Sequence, residues 1–81
     1  MLTVELCGRL ADPCGPQLRV GVALPCTVAD LRTAIAQGWP ALAEAMASPR
    51  VRACVNEVLV DDTALAQAGA VVAFFPPVSG G

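Results

Sequence analysis

The stretch whose residue types and order best suit a chemical task is the end of the chain, Phe74-Phe75-Pro76-Pro77-Val78-Ser79-Gly80-Gly81. Pro76 and Pro77 cannot donate ladder hydrogen bonds and favour polyproline geometry, so they end a strand and carry the last residues away from a sheet. The six residues from Pro76 to Gly81 span about 20 Å at roughly 3.3 Å each when extended, enough to enter a partner's active site. Gly80 and Gly81 carry no Cβ, so this backbone can thread a narrow channel and present an unhindered carboxylate. The reacting group expected is therefore the carboxyl of Gly81, with Phe75, Pro76, Pro77, Val78, Ser79 and Gly80 as the part a partner grips. Gly-Gly alone is a weak signal, because chain ends are commonly loose without purpose. The aromatic, proline-stiffened neck before it gives the signal its weight.

The side chains offer little competing chemistry. The 81 residues include no His, no Tyr and no Lys, so acid–base work would fall to carboxylates and no side-chain amine can form a Schiff base. Four cysteines, Cys7, Cys14, Cys26 and Cys54, contain no C-x-x-C pair, and without His there is no zinc spacing; no metal site is expected. No cationic cluster marks any of them as a thiolate, and they read as reduced, small, partly buried hydrophobes. Catalysis by this chain alone is not expected. Five arginines against seven carboxylates give a net charge of -2 with no basic cluster, which excludes a nucleic-acid partner. The longest apolar run, Ala70 to Phe75, cannot cross a bilayer, and Met1-Leu2-Thr3-Val4-Glu5 does not read as a signal peptide, so no membrane association and a cytoplasmic location are expected.

A neck and a terminus need a rigid body behind them. With 56% hydrophobic and 15% charged residues the chain favours one packed core over disorder. Leu2, Val4 and Leu6 alternate with polar or small residues as a half-buried strand does, and after a break at Asp12-Pro13 and Gly15-Pro16 the alternation resumes at Leu18, Val20, Val22 and Leu24. A hairpin is the economical reading. Thr27 suits an N-cap, with Asp30 as a first-turn anion, for a helix from about Val28 to Gln37 whose Val28, Leu31, Ala34 and Ile35 share a face. Pro40 opens a short second helix through Leu42 and Met46 that Pro49 closes. Val51, Ala53 and Val55 form a third strand, Asn56-Glu57 a tight turn, and Val58–Val60 a short strand. Asp61-Asp62-Thr63 reads as a solvated turn, Ala64–Gln67 as a brief helical turn, and Val71–Phe75 as the last strand.

Strand, strand, helix, then strands, with the final strand leading into the tail, is the element order of an α+β β-grasp fold, in which a mixed sheet packs on one main helix. Its first and last strands can pair in parallel at the sheet centre, since the intervening helix supplies the crossover. An open α+β roll is the alternative. The domain is read as residues 1–75 and the flexible tail as 76–81. Parity sends Val72 and Phe74 into the core and leaves Val71, Ala73 and Phe75 on the opposite face of the sheet.

The segment Val55-Asn56-Glu57-Val58-Leu59-Val60, with Val72-Ala73-Phe74-Phe75-Pro76-Pro77-Val78-Ser79-Gly80-Gly81 after it, resembles the family of molybdopterin synthase small subunits, sulfur carriers that include the thiamine carrier. The resemblance covers the chain, with its diagnostic residues in the last third. It implies a ubiquitin-like β-grasp fold and no bound cofactor. It also implies that an ATP-dependent adenylyltransferase, similar to ubiquitin-activating enzymes, adenylates Gly81, and that a persulfide donor supplies sulfur for a thiocarboxylate. The tail then enters the large subunit of molybdopterin synthase, in a heterotetramer, and the sulfur passes to the cyclic pyranopterin precursor. The chain departs from the family at Ala68-Gly69-Ala70-Val71, where acidic residues are common. Three other readings use the same residues: a carrier for thiamine or cysteine synthesis, a ubiquitin-like modifier attached to lysines of other proteins, and an interaction module with an inert tail.

Overall fold

Period-two alternation dictates the first element. In β1, Leu2–Leu6, the side chains of Leu2, Val4 and Leu6 are buried and Glu5 is exposed. A 3₁₀ turn at Gly8–Ala11 comes next, and β2, Gln17–Val20, returns antiparallel, pairing Val4 with Leu18 and Leu2 with Val20. The computed structural model describes residues 1–77. Contrary to expectation, the second strand stops at Val20. The ladder ends at the Leu2–Val20 pair, where β1 begins, and Val22 and Leu24 pack against the core without entering it.

The main helix, α1, runs Val28–Gly38 and starts as its residues require: Thr27 is extended and its hydroxyl accepts from the Asp30 N–H at 3.0 Å. Val28, Leu31 and Ile35 are fully buried on one face. A 3₁₀ turn, Pro40–Leu42, leads into α2, Ala43–Ala47, and together they bury Leu42 and Met46.

The region expected as a helical turn at Ala64–Gln67 is instead extended. Cys26–Thr27 forms β3, and Leu65–Ala66, the sixth strand in chain order (β6), pairs with it antiparallel in a small second sheet. Helix α1 gives the reason. Its first N–H groups have no partner within the helix, and two find acceptors here: Val28 donates to the Ala64 carbonyl and Ala29 to the Asp62 carbonyl, both at 3.0 Å. A turn at Asp62–Thr63 followed by the extended Leu65–Ala66 leaves the Asp62 and Ala64 carbonyls free to accept these bonds, whereas a helical turn at 64–67 would draw on the Ala64 carbonyl itself.

The remaining strands are β4, Arg52–Val55, β5, Val58–Val60, and β7, Val71–Phe75. Asn56 and Glu57 join β4 to β5 with φ of 49° and 71°, the double left-handed conformation of a type I′ hairpin turn. The five-stranded sheet has the order β2-β1-β7-β4-β5, with β7 parallel to β1 and antiparallel to β4. This is the β-grasp arrangement, not an open roll: the last strand is at the centre and α1 covers one face. Phe74, Val72, Val4, Leu2, Leu31 and Ile35 fill the space between.

One polar group anchors the two helices to the sheet. Arg32 of α1, its side chain only 11% exposed, donates to the carbonyls of Met46 at 3.0 Å, Ser48 at 3.3 Å and Val51. Its Nε bonds Asp62 Oδ1 at 2.9 Å. Asp62, expected as a solvated turn residue, is thus one half of an ion pair, although more than half of its side chain remains in water. Asp61 holds the turn itself, accepting from the hydroxyl and N–H of Thr63.

Candidate functional site

The parity of β7 divides its aromatic pair between two environments. Phe74 is completely buried against α1, while Phe75 is 38% exposed on the face of the sheet that no helix covers. Val71 and Ala73 lie on that same open face, as expected. Register identifies their neighbours. Ala73 stands between Glu5 of β1 and Cys54 of β4, and Phe75 is paired with Arg52. Cys7, just past the end of β1, joins Glu5, Cys54, Ala73 and Phe75 around a shallow hollow at the centre of this face.

Cys7 and Cys54 therefore flank β7 on its open side. Nothing in their sequence spacing announces this, but strand parity carried across the parallel β1–β7 pair reveals it. Burial is the main influence on Cys7 and pushes its thiol pKa up, with the negative charge of Glu5 and the neighbouring Cys54 adding to it. Cys26 is raised by burial and by Asp30. Both are the reverse of the cationic surroundings that create a reactive thiolate. All four cysteines are free, and among the described residues no group of three or more side chains could hold a metal ion.

The neck leaves the sheet beside this hollow. Pro76 and Pro77 are half-buried. A Cβ placed on Gly8 would meet Pro76 Cγ at 3.2 Å, so the two residues are in close contact. Pro77 borders a second hollow, between Arg9 and Leu10 on one side and Ala45 and Ser48 on the other. The first two residues of the expected tail thus rest on the body of the domain. Val78, Ser79, Gly80 and Gly81 lie outside the described residues. The structure brings Phe75, Pro76 and Pro77 together at one end of the central strand. Gly8, which no sequence motif singles out, is the body residue against which the neck leans. Among the described residues no helix is long and apolar enough to cross a membrane.

The arrangement delivers an exposed aromatic and a stiff neck from the central strand of the sheet. Among the described residues it brings no acid–base pair or anion cradle to the neck.

Comparison with known proteins agrees with this geometry. The ThiS family matches residues 10–81. No curated protein matches the sequence. Among solved structures, the crystal structure of SAMP1 from Haloferax volcanii superposes with a TM-score of 0.82 at 28% identity, covering 99% of this chain and 98% of that one. A second crystal structure, of the H. volcanii small archaeal modifier protein 1, gives 0.84 at 25% identity over 95% and 97% of the two chains. The putative molybdopterin converting factor, subunit 1, from Pyrococcus furiosus shares the fold, with a TM-score of 0.78 at 21% identity over 95% and 97%. With a ubiquitin-like β-grasp core and a family match that reaches from the turn after β1 to Gly81, the chain belongs to the ThiS family, the MoaD/ThiS group of ubiquitin-fold sulfur carriers.

Proposed function

We propose that this protein carries sulfur on Gly81 for molybdenum cofactor biosynthesis. The observation that carries the reading is the position of Phe75, exposed on the open sheet face one residue before a neck that emerges from the central strand. A partner that buries this aromatic also receives the tail, because the tail follows within two residues of the strand end that bears the anchor. Large apolar anchors of this kind dominate interface energies.

The chemistry runs in three stages. An adenylyltransferase joins the Gly81 carboxylate to the α-phosphoryl group of ATP and releases pyrophosphate, giving the poor electrophile a leaving group. The terminal sulfur of a persulfide displaces AMP, and a second thiol cleaves the resulting acyl disulfide, leaving the thiocarboxylate and a disulfide between donor and thiol. In the large subunit of molybdopterin synthase the thiocarboxylate sulfur attacks a side-chain carbon of the cyclic pyranopterin precursor, forming a C–S bond as the C–O bond at that carbon breaks and its oxygen leaves; a second charged carrier repeats the step for the other sulfur of the dithiolene. Hydrolysis of the acyl group then leaves sulfur on the pterin and restores the carboxylate. Oxyanion stabilisation and cationic groups come from the partners, since the described face around Phe75 carries only Arg52 as a paired neighbour. ATP belongs to the activating enzyme, and no cofactor stays on this chain.

A second reading, protein modification through the same activated glycine, draws on the likeness to the two Haloferax modifier structures. It shares the adenylation step and differs in the acceptor, a lysine amine of another protein. Carriers for thiamine or cysteine synthesis share everything up to the thiocarboxylate.

Intact mass after incubation with the activating enzyme, ATP and a persulfide donor is the test. Exchange of one oxygen for sulfur, and then dithiolene formation on the pterin precursor with the large subunit, supports the proposal. Lysine adducts without pterin sulfuration would transfer the assignment to the modifier.

A further inference from the structure

The strands β1 and β7 run in parallel and leave the sheet at the same end. Their last shared hydrogen bond runs from the Cys7 N–H to the Phe74 carbonyl at 3.0 Å. One residue further on in β1's chain stands Gly8, and two further on in β7's chain stands Pro76. These two meet: an ideal Cβ on Gly8 would lie 3.2 Å from Pro76 Cγ and 3.7 Å from Pro76 Cδ. Gly8 also has a φ of +56° and opens the 3₁₀ turn Gly8–Ala11, which Leu10 pins to the core at 6% exposure. Two separate demands fall on the same glycine. The positive φ turns β1's chain out of the way, and the bare Cα lets the proline ring settle into the space.

We propose that Gly8 is a positioning residue that fixes the direction in which the tail leaves the domain. This rests on the reading of Gly81 as the activated residue. Proline has no N–H to hold it in a ladder, so Pro76 is oriented by packing alone, and the described packing is Gly8 beneath its ring, with Pro77 bordered by Arg9 and Leu10. The five residues beyond Pro76 reach about 17 Å when a partner holds them extended. A swing of about 10° at their root moves the far end by roughly 3 Å, and far smaller misplacements are costly to a reaction that depends on alignment. Phe75 is unaffected by such a swing, because it belongs to the strand. Docking and delivery are therefore separable, and Gly8 acts only on delivery.

The two demands on Gly8 can be pulled apart. Asparagine tolerates a left-handed backbone far better than other residues, so Gly8→Asn largely meets the first demand and violates the second. Gly15 has a φ of +92° with nothing within 4 Å of its would-be Cβ, so Gly15→Asn controls for the backbone change. Pro76→Ala removes both ring atoms that the new Cβ would strike. The assay uses the full chain and the adenylyltransferase that activates the molybdopterin synthase small subunit, taken from the same genome. It measures the affinity between the two, the rate of ATP-dependent pyrophosphate release at saturation, and thermal unfolding.

For Gly8→Asn the expected result is affinity within about twofold of the wild type and kcat lowered about tenfold. Gly15→Asn should leave both unchanged. In a Pro76→Ala background, Gly8→Asn should cost less than about threefold in kcat, since the steric conflict is gone. A wild-type kcat in Gly8→Asn, a loss that persists undiminished beside Pro76→Ala, or a parallel fall of affinity, kcat and stability would each overturn the proposal. Nuclear Overhauser contacts between Gly8 Hα and the Pro76 ring in the free wild-type chain report the joint independently of any activity. Their absence overturns it outright. Their presence in a wild-type chain that the enzyme does not activate would refute the carrier reading and reduce Gly8 to a structural contact, which also overturns the positioning role.

Discussion

The guanidinium carbon of Arg32 lies 5.2 Å from the centroid of the Phe74 ring, so the most deeply buried aromatic of the chain is covered by a cation from the main helix. The same group donates to the carbonyls of Met46, Ser48 and Val51, which tie the end of α2 and the start of β4 to α1. Arg32→Met keeps the apolar stem but leaves these carbonyls and Asp62 without their donor. It should destabilise the domain by roughly 2–4 kcal/mol, in line with losing several charge-assisted hydrogen bonds at a partly buried site. Arg32→Lys should fall between, because an ammonium cannot reproduce the planar fork. Denaturant unfolding checks both, and a loss of stability in Arg32→Met no larger than that of an ordinary surface substitution would refute the clamp.

Adjacent aromatics should respond in opposite ways. Phe74→Arg places a second cation in the space next to Arg32 and should prevent folding, since an unpaired buried charge is not tolerated. Phe75→Arg puts its charge on the open face and should leave the melting temperature within a few degrees of the wild type, as surface changes do. It should weaken binding to the large subunit at least tenfold, as loss of an anchor does. Circular dichroism and titration calorimetry separate the two, and equal destabilisation by both would contradict the observed parity.

Burial, the charge of Glu5 and the neighbouring Cys54 all hold the Cys7 thiol above its ordinary value near 9.0. Its alkylation by iodoacetamide should be slow at neutral pH and accelerate only at alkaline pH. Glu5→Gln removes one of the causes and should shift that profile toward lower pH. A chain with all four cysteines replaced by Ala or Ser should still form the thiocarboxylate, which intact mass reads directly. Failure with a native circular dichroism spectrum would assign these thiols a sulfur-relay role.

Bonds from the Thr63 hydroxyl and N–H hold the Asp61 carboxyl below its ordinary value near 3.8. A depressed folded-state pKa contributes stability that is present above the unfolded value and lost as pH falls through the folded one. Asp61→Asn should therefore be slightly less stable than the wild type at neutral pH, with the gap closing below pH 3.8. Because Asp61 is fully exposed the effect is small. Thermal melts across the acid range measure it, and a gap that widened on acidification would show that another group dominates.

The terminus carries the functional proposal. Deleting Gly81 should leave folding unchanged and abolish thiocarboxylate formation. Adding one residue after it should do the same by moving the reactive carbon about 3.5 Å. Gly80→Val should be intermediate, because a β-branched side chain stiffens and thickens the thread while the carboxylate survives. Full activity of the Gly81 deletion would leave an interaction module as the better account.

Where local pattern and tertiary demand coincide, the sequence is sufficient to read the structure. Leu2, Val4 and Leu6, the Thr27 cap and the Val71–Phe75 strand all have unambiguous period or chemistry, and they establish the β-grasp order. The Ala64–Gln67 segment misleads because four residues of weak preference are decided from outside, here by N–H groups at the start of α1 that need acceptors. The end of β2 misleads for a similar reason: alternation continues to Leu24, but the partner strand does not. At the site, parity locates Phe75 correctly. Gly8 is invisible in the sequence, since its importance comes from Pro76, nearly seventy residues away in the chain. Arg32 is hidden likewise, because its partners lie on segments that only the fold brings near.

The central position of β7 also bears on how the fold is completed. This strand is the last element formed by the chain, yet β1 and β4 have no sheet between them until it is inserted. Contacts of such long sequence separation are slow to form. A chain whose other elements have assembled but whose final strand has not docked would lack the Gly8–Pro76 joint and the outward Phe75, and would leave the Phe74 site in the core unfilled. The same insertion that completes the core thus sets the exposed aromatic and the neck in place, so an activating enzyme that selected its substrate by that surface would charge finished molecules and pass over half-folded ones.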